Sequence, residues 1–359
     1  MYDNKKGVII HMKKFTKIIT AILAVAMLSM SFAGCGLVED TDVVEKVKIQ
    51  KETVLTVGDG IEISGAYYGW YFANAYDAAY SEEASKVEAE ADSAADSAAG
   101  SEASETPAEI NVDMEAVKKQ AIDDIIAVKM ACAKAKDTGI KLTSDDMAFV
   151  SSQVENYRSQ VISQYAQQGM EISYQDFLLV MNTNADTVAE IFEDEYMASM
   201  YYASLVSDEY VTAKHILIKY GEDSRTKDEA KKLADSIIAK LDGGADFDAL
   251  MNEHSEDGRD ASGNLSAPDG YTFTKDSSYM QAFKDATFAL EEGKVSAPVN
   301  VEDYYSGYHI IKRVATPVSK IAQSLENNDK IDSEREKLVS GVKTVEGKKL
   351  SYYLKAYAD

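Results

Sequence analysis

The sequence AKHILI at residues 213–218 and the sequence SGYHII at residues 306–311 decide the fold of the central part of this 359-residue chain. In both stretches apolar and polar residues alternate with a period of two, which is typical of half-buried β-strands. Each stretch carries one histidine, His215 or His309. Because an unpaired polar group in a protein interior is costly, a buried imidazole needs hydrogen-bonding partners. Two neighbouring strands would let the rings satisfy each other and line one pocket.

Six short motifs, two of which contain these histidines, follow one another in a defined order. They are KHIL at 214–217, GADF at 244–247 followed by SED at 255–257, GNL at 263–265, FKDATFAL at 283–290, GKVSAPV at 293–299 and GYHII at 307–311. Each motif alone is a weak signal, whereas all of them in this order and at these spacings form a strong one. On these motifs, residues 211–316 resemble the parvulin family of peptidyl-prolyl cis/trans isomerases.

The resemblance implies an α+β fold in which a parvulin domain is inserted in a mainly helical domain. The parvulin domain, residues 211–316, is expected to be a four-stranded antiparallel sheet wrapped by helices. Residues 53–210 are expected to form the helical chaperone domain, which a C-terminal helix at 317–359 completes. This layout is similar to that of PrsA-type foldase lipoproteins and SurA-like chaperones.

The resemblance also implies which residues form the site. The implied catalytic residues are His215, Asp257, Ser306 and His309, and the implied substrate-binding residues are Leu265, Tyr279, Met280 and Phe283. Ser306 matches a hydroxyl residue near the second histidine and would complete a hydrogen-bonded set with the two imidazoles. Asp257 would place negative charge near the substrate carbonyl, while Leu265 and Phe283 would form walls of the proline pocket.

The chemistry of proline isomerisation suits these residue types. Rotation about an X-Pro bond faces a barrier of ~18–20 kcal/mol, but no covalent bond has to break. A catalyst needs an apolar slot for the proline ring and a rigid polar wall that favours the twisted amide. No cofactor is expected, and no metal site either, because the family binds no metal and no cysteine accompanies His215, Asp257 and His309.

Departures from the family motifs leave a second function open. Where many parvulins have Gly-Asp-Leu-Gly, residues 263–266 read GNLS, and the loop at 267–271 is also unusual. The leading hypothesis is a peptidyl-prolyl isomerase that acts as a foldase for exported proteins. The alternative is a non-catalytic holdase chaperone that uses a degenerate parvulin domain as a peptide clamp.

The N-terminal residues read as an export signal. A basic start followed by an apolar run predicts a signal peptide at residues 1–34. The sequence FAGC at 32–35 resembles the bacterial lipobox, in which the cysteine becomes the lipidated first residue. Cys35 would then carry the lipid, and residues 35–52 would form a tether. An uncleaved anchor and a lipid-free secreted protein are the alternatives.

Charge and location restrict the partners. The net charge of −24 argues against nucleic acid, since a phosphate-binding surface needs clustered Lys and Arg. The expected partners are unfolded or partly folded exported proteins with X-Pro segments, and the membrane through the lipid on Cys35. The expected location is the extracytoplasmic face of the bacterial cell membrane. A homodimer is left open.

The segments before residue 211 predict a hairpin followed by helices. The hairpin turns at residues 58–60, which read GDG, and residues 81–109, almost entirely Ala, Ser, Glu and Asp, predict a disordered acidic insertion. Further on, apolar residues recur at steps of three or four on one helix face, namely Met114, Val117, Ala121, Ile125, Val128 and Cys132. Cys132 is therefore predicted to be a core residue and not a reactive thiol.

Overall fold

The computed structural model describes residues 40–97, 110–221, 225–302 and 306–357. They form two compact units: one contains the chain up to Tyr202 and again from Glu326, and the other is Ala203–Leu325. The second unit is thus inserted in the sequence of the first. The predicted signal peptide and Cys35 lie outside the described residues. The α+β class predicted from the sequence is confirmed.

The chain alternates long helices with short strands. The helices are α1 (Asp40–Gln50), α2 (Gly65–Ser97), α3 (Met114–Asp137), α4 (Ser144–Gln167), α5 (Tyr174–Val180), α6 (Ala185–Leu205), α7 (Lys227–Asp242), α8 (Phe247–His254), α9 (Gln281–Ala289), α10 (Val318–Gln323), α11 (Asp329–Val339) and α12 (Ser351–Ala356). The strands are β1 (Thr53–Val57), β2 (Ile61–Ser64), β3 (Val211–Lys219), β4 (Tyr271–Phe273), β5 (Val299–Val301), β6 (Gly307–Val314) and β7 (Thr344–Glu346). Among the described residues, no helix has the length and apolar character to cross a membrane.

The first unit contains a three-stranded sheet with the order β2-β1-β7. β1 and β2 form the predicted antiparallel hairpin. The predicted single helix at 317–359 is corrected, because the described part of this segment contains three short helices and the strand β7. Gly341, with φ of +77°, interrupts the helical backbone before β7. The sequence does not predict β7, because it is three residues long and all three residues are exposed.

Helix ends in the first unit follow local capping chemistry. Thr143 forms the capping box that begins α4, and Gly139, with φ of +80°, follows the end of α3. α3 begins at Met114, because the Asp113 carboxylate accepts hydrogen bonds from two N–H groups of the first turn. Such a cap is worth ~1 kcal/mol, so it fixes where the helix starts.

α3 packs its predicted apolar face inward. Its buried residues include Val117, Ala121, Ile125, Val128 and Cys132. Burial raises the pKa of the Cys132 thiol well above its usual value, and its Sγ lies 3.1 Å from the carbonyl oxygen of Asp194. A thiol that stays protonated is a poor nucleophile. Cys132 is therefore a core residue, as predicted.

The predicted disordered insertion is corrected over residues 81–97, where α2 continues as a helix to Ser97. The segment lacks an apolar period, but Ala and Glu are strong helix formers. Lys86 also pairs along this helix with Glu82 at 3.3 Å and Glu83 at 2.6 Å. Residues 98–109 lie outside the described residues.

The second unit is built on a four-stranded antiparallel sheet with the order β4-β3-β6-β5. The two long strands, β3 and β6, are neighbours at its centre. β4 lies partly in the segment that the sequence predicts as an unusual loop, residues 267–271, and pairs with the start of β3. The family resemblance implies the four-stranded sheet, but local sequence does not locate this edge strand.

Each face of this sheet has its own apolar cluster. One cluster contains residues of β3, β6, α7 and α8, including Ile216, Ile218, Ile310, Ala234 and Leu250. The other contains residues of β3, β4, β6 and α9, namely Val211, Ala213, Phe273, Phe283 and Ile311. Because side chains alternate along a strand, both histidines point to the second face.

Candidate active site

β3 and β6 bring the two histidines into contact. Leu217 lies opposite His309 and Ile311 lies opposite His215, so the histidines are diagonal neighbours on one face of the sheet. Their Nδ1 atoms lie 2.9 Å apart, and the ring centroids are 5.0 Å apart. Both are buried, with 8% of His215 and 1% of His309 exposed. The contact expected from the sequence is formed.

Asp257 extends this pair with a carboxylate. Its Oδ2 atom lies 2.9 Å from Nε2 of His215 and accepts a 2.7 Å hydrogen bond from the Tyr271 hydroxyl. A row of four polar groups therefore runs from Tyr271 through Asp257 and His215 to His309. We call these four residues the polar row.

Hydrogen bonds at Ser255 and Glu256 fix the loop that carries Asp257 to β3. The Leu217 N–H donates to the Ser255 hydroxyl at 3.1 Å, and the Glu256 N–H donates to the Leu217 carbonyl at 2.8 Å. Ser255 is buried, so its hydroxyl is protected from competing water. The position of Asp257 is thus set by the same strand that carries His215.

The surroundings shift the pKa values of three members of the polar row. Burial tends to raise the pKa of Asp257, but hydrogen bonds from His215 and Tyr271 outweigh it and hold that pKa well below its usual range. Burial and the Asp257 carboxylate raise the pKa of Tyr271 well above its ordinary value. Burial, and the positive charge that His215 can carry, lower the pKa of His309 to about 3. At neutral pH Asp257 is ionised, and Tyr271 and His309 are neutral.

These states restrict the proton positions. An ionised carboxylate only accepts hydrogen bonds, so Nε2 of His215 carries the proton that points to Asp257. When both rings are neutral, Nδ1 of His309 donates to Nδ1 of His215. Nε2 of His309 is then a buried acceptor, and it has no partner among the described residues. The polar row therefore has a defined direction of donation and one open end.

An apolar wall covers the histidines. The Phe283 ring lies edge-on to both imidazoles, with centroids 5.3 Å from His215 and 5.5 Å from His309. Tyr279 packs on Phe273 at 4.9 Å and on Tyr271 at 5.8 Å. Met280 is half-buried against the same cluster. Three of the predicted substrate-binding residues, Phe283, Tyr279 and Met280, are thus brought to one place beside the polar row.

Two predicted site residues lie elsewhere. Leu265 is buried with Ile216 and Ile310, in the cluster on the opposite face of the sheet from the histidines. Ser306 precedes β6, and its carbonyl accepts a 3.1 Å hydrogen bond from the Tyr220 N–H. Within the described residues its hydroxyl makes no bond to His309, so the predicted hydrogen-bonded set is corrected: Asp257 and Tyr271 take the part expected of Ser306.

Tyr271 is the site residue that the sequence prediction missed. It begins β4, directly after Gly270, whose φ is +88°. A Cβ atom on Gly270 would lie 2.5 Å from the Ala213 carbonyl oxygen, so only glycine allows the two strands to approach here. The run PDG at 268–270, followed by the alternating YTF, is a turn-then-strand signal that could have located Tyr271.

Gly270→Ala should destabilise the second unit by about 1–3 kcal/mol more than Gly263→Ala, because overpacking is added to backbone strain. Gly263 is the control. It has φ of +86°, but no atom lies within 4 Å of its added Cβ. Gly263→Ala should therefore cost only the backbone strain, ~1–2 kcal/mol. Urea unfolding followed by circular dichroism measures both variants. Equal losses would mean that the approach of Gly270 to Ala213 is not tight.

A family model and several known proteins are similar to parts of this chain. A family model described as the PPIC-type PPIase domain matches residues 199–316. The chain is similar to the foldase protein PrsA of Clostridium tetani, with 25% identity over 331 residues, 85% of this chain and 84% of that protein. Among solved structures, PrsA from Bacillus subtilis matches 62% of this chain and 83% of its own at 22% identity, with a TM-score of 0.27. The parvulin of Nitrosopumilus maritimus matches 30% of this chain and 97% of its own at 35% identity, with a TM-score of 0.22.

Proposed function

We propose that this chain, which carries a PPIC-type peptidyl-prolyl isomerase domain at residues 199–316, is a foldase that isomerises X-Pro bonds of exported proteins. The observation that carries the proposal is the Asp257–His215–His309 row beside the Phe283 ring. It offers a rigid polar wall next to an apolar surface, and proline isomerisation needs both.

The apolar surface would hold the proline ring. Phe283 is 2% exposed, so its position is fixed by packing, whereas Tyr279 and Met280 are half-buried and could contact a substrate. A proline ring in this slot has one end of its X-Pro bond fixed. Rotation of the preceding carbonyl then interconverts the cis and trans forms without any covalent step.

The polar row would favour the twisted amide over the planar ones. When the bond twists, the carbonyl loses conjugation with nitrogen, and fixed dipoles stabilise the new charge distribution without having to reorganise. His215 and His309 are held in one orientation by their mutual contact and by Asp257. Each ~1.4 kcal/mol of such stabilisation gives tenfold in rate.

The N-terminal sequence supports an extracytoplasmic location and a lipid anchor for the foldase. Residues 1–34 would direct export, and a lipid on Cys35 would hold the chain at the outer side of the cell membrane. Stable anchoring of the chain would need two acyl signals, because a single chain of 14 carbons gives only marginal, reversible membrane binding. The clients would be unfolded exported proteins with X-Pro segments.

A holdase with a peptide-clamp domain is the second candidate. It is favoured by the position of Leu265 on the opposite face of the sheet and by the missing bond from Ser306 to His309. Both departures affect groups that the family resemblance assigns to the pocket. A clamp would bind X-Pro segments without accelerating their rotation.

A proline-limited refolding reaction separates the two candidates. Uncatalysed isomerisation takes tens of seconds, so a catalyst is easily detected. The purified chain should accelerate the slow phase, and His309→Ala should reduce this acceleration by about tenfold or more, the equivalent of ~1.4 kcal/mol. His254→Ala is the matched control, because His254 lies at the end of α8 near Lys240, outside the polar row.

The outcome decides between an enzyme and a clamp. Loss of rate in the His309 variant with full rate in the His254 variant supports the isomerase. A chain that suppresses client aggregation but leaves the slow phase unchanged is a holdase, and the proposal of an isomerase is then wrong.

A further inference from the structure

We infer that Tyr271 is a positioning residue of the isomerase site, a role that rests on the proposed function: its hydroxyl holds Asp257 Oδ2 against His215 Nε2 and so fixes where the protons of the histidine pair lie. The hydroxyl donates to the same oxygen atom that faces His215, at 2.7 Å against 2.9 Å. One oxygen with two donors cannot turn to a third partner without losing one of them.

The ring of Tyr271 acts together with its hydroxyl. It lies edge-on to the His215 ring, with centroids 5.6 Å apart and an interplanar angle of 85°. The Tyr279 ring packs against the Tyr271 ring, with centroids 5.8 Å apart. Tyr271 therefore contacts both the apolar wall and the carboxylate, and a substrate that displaces the wall would also move the hydrogen bond to Asp257.

The position of Tyr271 is set by the backbone and not by the site. β4 pairs with β3 so that Tyr271 lies opposite Ala213, two residues before His215 on the same strand. The close approach of Gly270 to Ala213 fixes this pairing. Tyr271 can thus orient Asp257 from outside, because its own place does not depend on the carboxylate.

Few other groups compete for the carboxylate of Asp257. His215 reaches it from β3, Tyr271 reaches it from β4, and the Gly258 N–H reaches it from its own loop. His309, on β6, is neutral at neutral pH and contacts His215, so it adds no charge beside the carboxylate.

Charged side chains next to Asp257 in sequence are directed elsewhere. Glu256 is paired with Arg225 at 2.6 Å, and it also accepts a hydrogen bond from the Lys219 N–H. Arg259 donates to the carbonyls of Asn252 and Gly263. Removal of the Tyr271 hydroxyl therefore leaves Asp257 dependent on His215 and one backbone N–H.

The removal of the Tyr271 hydroxyl would shift the pKa of Asp257 in a defined direction. A hydrogen bond to the ionised carboxylate lowers its pKa, so the loss of that bond raises it. A protonated Asp257 can donate a hydrogen bond as well as accept one. Nε2 of His215 would then no longer have to carry the proton, and the imidazole would be free to change tautomer. Tyr271 thus keeps the donation order of the polar row intact toward acid pH.

The test compares Tyr271→Phe with Tyr220→Phe in the full chain. Tyr220 is the matched control, because its hydroxyl also contacts a carboxylate, that of Glu302 at 3.3 Å, away from the histidines. Carbon-13 NMR of the side-chain carboxyl groups should show Asp257 titrating about one pH unit higher in Tyr271→Phe.

Two results would overturn the role of Tyr271. One is an Asp257 titration that is the same in Tyr271→Phe and Tyr220→Phe. The other, measured in the unsubstituted chain and independent of variant folding, is a Tyr271 ring carbon that titrates at the ordinary tyrosine pKa. If the chain has no isomerase activity, the proposed function fails, whereas the two NMR titrations still decide the role of Tyr271.

Discussion

Arg335→Ala should lower the free energy of unfolding of the first unit by about 3–5 kcal/mol, the cost of leaving a buried charge without its partner. Arg335 on α11 pairs with Asp124 on α3, and both side chains are only 13% exposed. Gln120 is the other partner of Asp124, at 3.0 Å. Burial raises the pKa of Asp124 even with Arg335 in place, so the charged carboxylate depends strongly on the guanidinium.

The sign of the pH dependence gives a second check on this pair. Without Arg335 the pKa of Asp124 rises further, and protonation then relieves the unpaired charge. The loss of stability should therefore be largest at neutral pH and smaller in acid. Lys119→Ala is the control, since Lys119 pairs with Asp123 on the exposed side of the same helix and should change stability by less than ~1 kcal/mol. Urea unfolding at two pH values measures both, and equal losses would contradict the buried pair.

Phe283→Ala should cost the second unit about 3–5 kcal/mol and remove most isomerase activity. Phe283 is buried and contacts both histidines and Phe273. Its removal opens a cavity beside the polar row and deletes the wall that would hold the proline ring. The loss of kcat/KM should therefore exceed what the unfolded fraction explains.

Phe288→Ala separates packing from function. Phe288 is half-buried in the same cluster, with its ring 6.1 Å from Phe273, but it has no ring contact with either histidine. The Phe288→Ala variant should be less stable, but its kcat/KM per folded molecule should be unchanged. Activity is read in the refolding reaction and stability in urea; a Phe283 variant with normal kcat/KM per folded molecule would exclude that ring from the pocket.

The sequence predicted the elements whose signals are local. Strand alternation located β3 and β6, and the run GDG at 58–60 located the turn between β1 and β2. The order of the six motifs then predicted that His215 and His309 share a site, and the contact at 2.9 Å agrees. Periodicity did not find α2 beyond residue 81, because helix propensity and ion pairs act there without an apolar face.

The rest of the site depends on tertiary geometry that a motif does not contain. Leu265 lies in a matching motif, yet the path of its loop places it on the opposite face of the sheet. Tyr271 lies outside every motif, yet the pairing of β4 with β3 brings its hydroxyl to Asp257. Which side chain finally meets a carboxylate is decided by strand pairing between segments far apart in sequence.

Because the second unit is inserted in the sequence of the first, its residues are all synthesised before the first unit is complete. A ribosome delivers the chain from its N-terminus, so every residue through Leu325 exists before Arg335, β7 and α12 are made. The sheet with the two histidines can form at that stage, because domains fold as units during synthesis. The first unit must wait for contacts such as Asp124–Arg335, whose members are 211 residues apart. The second unit, with its two histidines, could therefore be folded while the first unit still lacks its C-terminal residues.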